Sequence, residues 1–235
     1  MRFRRTKKPE IVWDRYGFKN LLVWLLVYLV VGPFVDSLPH AGWIVGVFLS
    51  AVLLSAISAV NREKGVLAIA FILMVSTLVV MWLEESGLLS ISPLVQSGLI
   101  AFYMGTLTHS YLRHLLHVRK VNSNVICAAL CLYLILGIFW GALYQILHVL
   151  SPDALAGGLL TPEMDPGKRI HVLNYFSFVT LSTLGYGDIT PQTQAAASLC
   201  QTEAILGQFL TVALVARLVG IEVSQEASND NGKEE

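Results

Sequence analysis

The residues of this chain best suited to chemistry are six consecutive ones, Thr183-Leu184-Gly185-Tyr186-Gly187-Asp188, which occur once and lie between two long apolar segments. Glycine tolerates backbone angles that other residues resist, so the two glycines beside Tyr186 allow consecutive carbonyls to point the same way. A ring of such carbonyls from symmetry-related chains can replace the water around a dehydrated cation. We therefore expect ion binding, mainly by backbone oxygen atoms.

The composition indicates an integral membrane protein. Hydrophobic residues make up 55% of the 235 residues and charged residues 14%, and the mean hydropathy is +0.65. Soluble domains of this size rarely reach such values. The formal net charge is zero, which argues against a nucleic-acid partner. Cys127, Cys131 and Cys200 show no metal-ligand spacing and are expected to be core residues.

Six apolar segments approach the length of about 20 residues that a spanning helix needs. The first is expected to be a retained helix rather than a signal peptide, because it is long enough to cross a bilayer. The fourth is the least apolar. The six segments are Phe18–Val35, Ala41–Val60, Gly65–Leu83, Pro93–Thr108, Val125–Leu150 and Ala195–Gly220.

Lysine and arginine in the short loops predict the orientation. Residues 1–17 include Arg2, Arg4, Arg5, Lys7 and Lys8, and more basic residues follow the second and fourth segments. Only Lys168 and Arg169 lie on the opposite side. Both termini are therefore predicted to be cytoplasmic. Residues 113–124 are predicted to form an interfacial helix in a cytoplasmic linker, and residues 221–235 a disordered tail.

The stretch from Tyr175 to Pro191, Tyr-Phe-Ser-Phe-Val-Thr-Leu-Ser-Thr-Leu-Gly-Tyr-Gly-Asp-Ile-Thr-Pro, resembles the pore helix and selectivity filter of the potassium channel family. The resemblance covers about Val125–Gly220; over residues 1–124 it rests on helix count and topology. It implies an all-α membrane protein with six spans, a re-entrant pore helix between the last two, and a homotetrameric pore. Residues 18–112 would form a four-helix, sensor-like domain and residues 125–220 the pore domain.

By this resemblance, the backbone oxygens of Thr183, Leu184, Gly185 and Tyr186 bind potassium, the Thr183 hydroxyl lies at the inner end, and Gly187 completes the filter. The side chains of Leu184 and Tyr186 are expected to pack behind it. Leu184 departs from the family's usual valine or isoleucine, which leaves open softer packing and admission of sodium.

Support for the filter is expected from the pore helix that precedes it, which by the resemblance is the apolar and aromatic run His171–Ser182. Tyr175 and Val179 occupy the region where many relatives place a tryptophan or a glutamate that holds the filter aspartate. Tyr175 is a plausible hydroxyl donor to Asp188; aromatic packing is the alternative.

The last segment looks like the inner helix of prokaryotic members of the family. Gly207 falls where the family has its hinge glycine, although a small residue for close helix contact explains it equally. Thr211 and Val215 follow at intervals of four, so the three share a face that could line the cavity. Glu203 is ionisable within a span: it either senses pH behind the filter or is a structural glutamate, neutral or hydrogen-bonded to the pore helix.

The fourth segment lacks the charge that voltage sensing requires. It contains no arginine or lysine, and Arg113 is assigned to the linker. Weak or absent voltage dependence is expected. His114 and His117 could sense internal pH or bind a metal, although solvated histidines are the commoner case. Arg113, Arg119 and Lys120 offer contacts for membrane lipids.

Other classes fit less well. The chain is not expected to be an enzyme, because no nucleophile has a recognisable partner, nor a transporter, because internal repeats are lacking. A non-selective cation channel and a non-conducting regulatory subunit stay open. The expected partners are further copies of the chain and membrane lipids, without nucleic acid or a small-molecule substrate. No cofactor is expected, only K⁺ as the permeant ligand, and the expected location is a bacterial cytoplasmic (inner) membrane.

Overall fold

The computed structural model describes residues 17–35, 38, 41–58, 64–118, 120, 122–161 and 163–231. These residues form seven α-helices, one turn of 3-10 helix and a small antiparallel sheet. The prediction of an all-α protein is confirmed apart from this sheet. The helices are α1 (Gly17–Val35), α2 (Ala41–Ser58), α3 (Lys64–Glu85), α4 (Pro93–His117), α5 (Ser123–Leu150), α6 (Pro166–Leu181) and α7 (Gln194–Asn231); the strands are β1 (Leu155–Gly157) and β2 (Ile189–Pro191).

Four of these helices are long and apolar enough to cross a membrane: α1, α3 from Gly65, α5, and α7 as far as Ser224. The apolar part of α2, Ala41–Ile57, is shorter. With 25 residues, α4 is about 37 Å long at 1.5 Å per residue, but it is less apolar. Four candidate spans are thus found among the described residues, and six crossings stay a prediction.

Two tyrosines of α4 form hydrogen bonds to the backbone of α2. The buried hydroxyl of Tyr103 donates to the Leu53 carbonyl at 2.7 Å, and that of Tyr111 donates to the Ala56 carbonyl at 2.8 Å. These bonds satisfy two buried hydroxyls of α4, whereas the buried Ser110 hydroxyl has no hydrogen-bond partner among the described residues.

Three predicted boundaries were wrong. The end of α4 is His117, so Arg113 belongs to this helix and residues 113–124 contain no separate interfacial helix among their described members. Leu115 is buried and continues the apolar period of α4, which explains the extension. The predicted tail from residue 221 is helical as far as Asn231, because polar residues without glycine or proline do not end a helix. Residues 1–16 and 232–235 lie outside the described residues.

The third difference concerns the loop before the pore helix. It contains β1, and α6 begins five residues before the predicted start at His171. Asp165 explains the earlier start, since its side chain accepts a hydrogen bond from the Gly167 amide at 2.8 Å and Pro166 occupies the first helical position.

The centre of the fold is α5, which packs against α1, α4 and α6. One hydrophobic cluster includes side chains from all of α1 to α5 and Leu214 of α7. A second surrounds α6, with Tyr144 of α5, Leu173 of α6 and Ile189 of β2. The predicted sensor-like and pore domains therefore share one core along α5.

Candidate functional site

The loop between α6 and β2 contains the predicted filter, and the φ angles of its backbone alternate between positive and negative values. The φ angles of Thr183, Gly185 and Gly187 are +59°, +59° and +77°. A left-handed residue at every second position reverses every second peptide plane, so consecutive carbonyls can face the same side of the strand. Thr183 is the single non-glycine residue with positive φ in the described part of the chain, a strained state that clusters at functional sites.

The inner end of this loop is held by the C-terminal end of α6. The amides of Leu184 and Gly185 both donate to the Val179 carbonyl, at 3.0 and 3.2 Å. The Thr183 amide donates to the Thr180 carbonyl at 2.9 Å. Any shift of α6 along its axis would therefore move the first residues of the filter.

The outer end of the loop is held through Asp188. The Tyr175 hydroxyl donates to Asp188 Oδ2 at 2.6 Å, and Oδ1 accepts from the Ile189 amide at 3.1 Å. β2 follows directly and pairs with β1, which places Gly157 against Asp188; a Cβ at Gly157 would lie 2.2 Å from the Asp188 carbonyl oxygen. The outer loop and the filter thus meet backbone to backbone.

The side chains of the filter are uncovered within one chain. Leu184 is 56% exposed and Tyr186 is 67% exposed. The described residues of the same chain therefore leave most of both side chains uncovered, and packing behind the filter stays a prediction.

Glu203 is fully buried and connects three helices. The Tyr144 hydroxyl of α5 donates to its Oε2. The Ser177 hydroxyl of α6 lies 2.6 Å from its Oε1 and 2.8 Å from the Gly137 carbonyl oxygen of α5. Of the two interpretations left open above, these contacts favour the structural one.

Two glycines of α5, which sequence reasoning missed, allow α6 to lie close to α5. A Cβ at Gly137 would lie 2.3 Å from the Phe178 ring, and one at Gly141 would lie 2.0 Å from Asn174 Oδ1. The signal was available, because Gly137-Ile-Phe-Trp-Gly141 is a GxxxG pattern, which is typical of close helix contact in membranes.

The predicted face of α7 borders a space within the single chain, and its role in a pore cavity stays a prediction. Gly207, Thr211 and Val215 face a space of about 480 Å³ that is also lined by α5 and the end of α6. Gly207 lies against α6 itself, since its Cβ would be 2.4 Å from the Leu181 carbonyl oxygen. Gln208, which sequence reasoning missed, lines the same cavity and donates to the Thr183 hydroxyl at 3.3 Å.

The remaining candidates lie at the end of α4. His117 Nδ1 donates to the Arg113 carbonyl of the same helix at 2.7 Å, and the His114 ring stacks on Phe18 of α1, with centroids 6.0 Å apart. No group of three His, Cys, Asp or Glu side chains that could hold a metal ion occurs among the described residues.

Sequence reasoning also missed Arg217 of α7, which binds the end of α4. Its guanidinium donates to the carbonyls of Leu115 at 3.1 Å, Leu116, and Val118 at 3.2 Å. The last carbonyls of a helix have no partner within the helix and carry partial negative charge, so a cation there is favourable. This contact joins the fourth helix directly to the last one, about 100 residues further along the chain.

A comparison with protein families agrees with this geometry. Residues 128–223, which include most of α5, all of α6 and the filter, and most of α7, match the family described as ion channel. No curated protein matches the chain. The family match supports ion channel activity. Together with the four apolar helices, it supports an integral membrane protein whose residues 128–223 are similar to an ion channel domain.

Proposed function

We propose that this chain is the subunit of a homotetrameric, potassium-selective channel that conducts K⁺ passively. The observation that carries the proposal is the alternating backbone of residues 183–187, with left-handed φ at Thr183, Gly185 and Gly187. This conformation presents successive carbonyl oxygens to one side, as a filter that replaces an ion's hydration shell requires.

Assembly of four chains is supported by what one chain lacks. Each chain contributes one filter strand, and a ring of carbonyls around an ion needs several. The exposed Leu184 and Tyr186 need an apolar cover, which the pore helix of a neighbouring copy would provide. The predicted partners are therefore further copies of this chain, with lipid around α1 to α4.

In this mechanism, K⁺ loses water at Tyr186 and Gly185, passes Leu184 in single file, and is released past the carbonyl and hydroxyl of Thr183. It would regain water in a cavity bordered by Thr211 and Val215. The C-terminal end of α6 carries partial negative charge and favours a cation there. The loop charges support an orientation with both termini inside, and the resemblance of α7 to the inner helix of prokaryotic channels supports a bacterial cytoplasmic membrane.

Weak voltage dependence is part of the proposal. Arg113 lies near the end of α4, and Pro93–Thr108 has no arginine or lysine that could move through the field. Each charge that crosses 100 mV contributes about 2.3 kcal/mol, so a helix without such charges gains little from the field.

The test is the reversal potential of the purified protein in planar bilayers with potassium on one side and sodium on the other. We expect a value near the potassium equilibrium potential, and a native mass of four chains. A clear current that reverses near zero would instead support a non-selective cation channel. In that case Leu184→Val should restore potassium selectivity if softer packing at this position is the cause. Lack of current from the assembled protein at any voltage, pH or lipid composition would favour a non-conducting regulatory subunit.

A further inference from the structure

The hydrogen-bonded contacts around Glu203 outnumber the hydrogen atoms that the neighbouring hydroxyl groups can donate. Three short oxygen–oxygen contacts are present: Tyr144 to Glu203 Oε2, Ser177 to Glu203 Oε1, and Ser177 to the Gly137 carbonyl. Each needs one hydrogen atom between its oxygens. Tyr144 and Ser177 bring one hydroxyl hydrogen each, and a carbonyl brings none.

The third hydrogen has one available source. If Ser177 donates to Gly137, then Oε1 of Glu203 must itself be the donor to Ser177, which requires a carboxylic acid. If Glu203 were ionised, Ser177 could satisfy either Gly137 or Glu203, and two oxygens would face each other 2.6 or 2.8 Å apart without a hydrogen.

In the described part of the chain, no positive charge compensates the carboxyl group of Glu203. The titratable side chains that approach it in the described chain are Tyr133 and Tyr144 of α5 and Cys200 of α7, none of which is basic. Both hydrogen-bonding partners are neutral hydroxyls. A buried carboxylate without a cationic partner is strongly disfavoured.

We propose that Glu203 is a neutral carboxylic acid in the folded protein and positions the pore helix, donating a hydrogen bond to Ser177 and accepting one from Tyr144. The contact bears on the filter because Ser177 lies half a helical turn before Val179, whose carbonyl holds the amides of Leu184 and Gly185. Glu203 is thus a positioning residue: it acts on the filter through α6 and does not touch the ion. The proposal deepens the proposed function but does not need a conducting protein for its first test.

That first test is infrared difference spectroscopy of the purified, assembled protein at neutral pH in H₂O and D₂O. We expect a carbonyl stretch of a protonated carboxylic acid that shifts on deuteration and is lost in Glu203→Gln. Glu222→Gln, which changes an exposed carboxylate of the same helix, should leave this band in place. A Glu203→Gln spectrum that loses only carboxylate absorption would overturn the proposal, whether or not the protein conducts.

A second measurement tests the positioning role. Glutamine keeps one donor and one acceptor at this position, so Glu203→Gln should retain the melting temperature and the reversal potential of the unsubstituted protein. Glu203→Leu has a similar volume but neither group, and it should lower the melting temperature and shift the reversal potential towards zero. Equal behaviour of the leucine and glutamine variants would refute the positioning role.

Discussion

Replacement of Gly207 by alanine separates the two interpretations of this residue, hinge and close contact. An added Cβ would lie 2.4 Å from the Leu181 carbonyl oxygen and 2.8 Å from Leu181 Cδ1. Real Cβ atoms essentially never come within 3.0 Å of such an atom, so the gap must widen by at least 3.0 − 2.4 = 0.6 Å. The carbonyl is backbone at the buried end of α6, so no change of rotamer can relieve the contact.

The magnitude follows from two opposing terms. Overpacking at a close contact costs about 1–3 kcal/mol. Alanine in place of glycine within a helix gains up to about 1 kcal/mol. Gly220→Ala lies in the same helix and its Cβ would meet no atom within 4 Å, so this variant has the gain without the cost. The difference in stability between the two variants is therefore the steric term alone, about 1–3 kcal/mol in each subunit.

The assay is thermal denaturation of the purified protein combined with the reversal potential of both variants. We expect Gly207→Ala to melt at a lower temperature than Gly220→Ala and to reverse closer to zero, because Leu181 lies two residues before Thr183. A hinge without close contact predicts another pattern: an altered open probability with equal melting temperatures. Equal melting temperatures and equal reversal potentials of the two variants would refute the packing argument.

Two further substitutions test contacts that hold the filter and the inner helix. Tyr175→Phe removes the donor to Asp188 Oδ2 and should shorten the time for which the filter stays conductive. The control is Tyr133→Phe, which should leave this time unchanged because the Tyr133 hydroxyl has no hydrogen-bond partner among the described residues. Equal decay of current in both variants would argue against the role of the Tyr175–Asp188 bond. Arg217→Gln removes the cation at the end of α4 and should cost about 1 kcal/mol of stability, seen as a lower melting temperature at an unchanged reversal potential. An unchanged melting temperature would show that water replaces the guanidinium at no cost.

The sequence was sufficient for features that depend on neighbouring residues. The two glycines around Tyr186 predicted a backbone that lets consecutive carbonyls point the same way, and both adopt the left-handed φ that glycine tolerates; the left-handed φ of Thr183 was not predicted. Long apolar segments predicted the positions of the helices, since hydropathy is summed along the chain. Boundaries were less certain: the predicted linker and tail were polar, yet polar residues without glycine or proline continued α4 and α7.

Tertiary structure alone decided which distant residues meet. Glu203 was recognisable as an ionisable residue in a span, but its partners lie 26 and 59 residues away, on helices whose relative rotation no local pattern encodes. The same holds for Arg217 and the end of α4, which meet about 100 residues apart. For the helices around Glu203, the distance of approach is determined by packing at Gly137, Gly141 and Gly207, where a side chain would keep α5 and α7 away from α6.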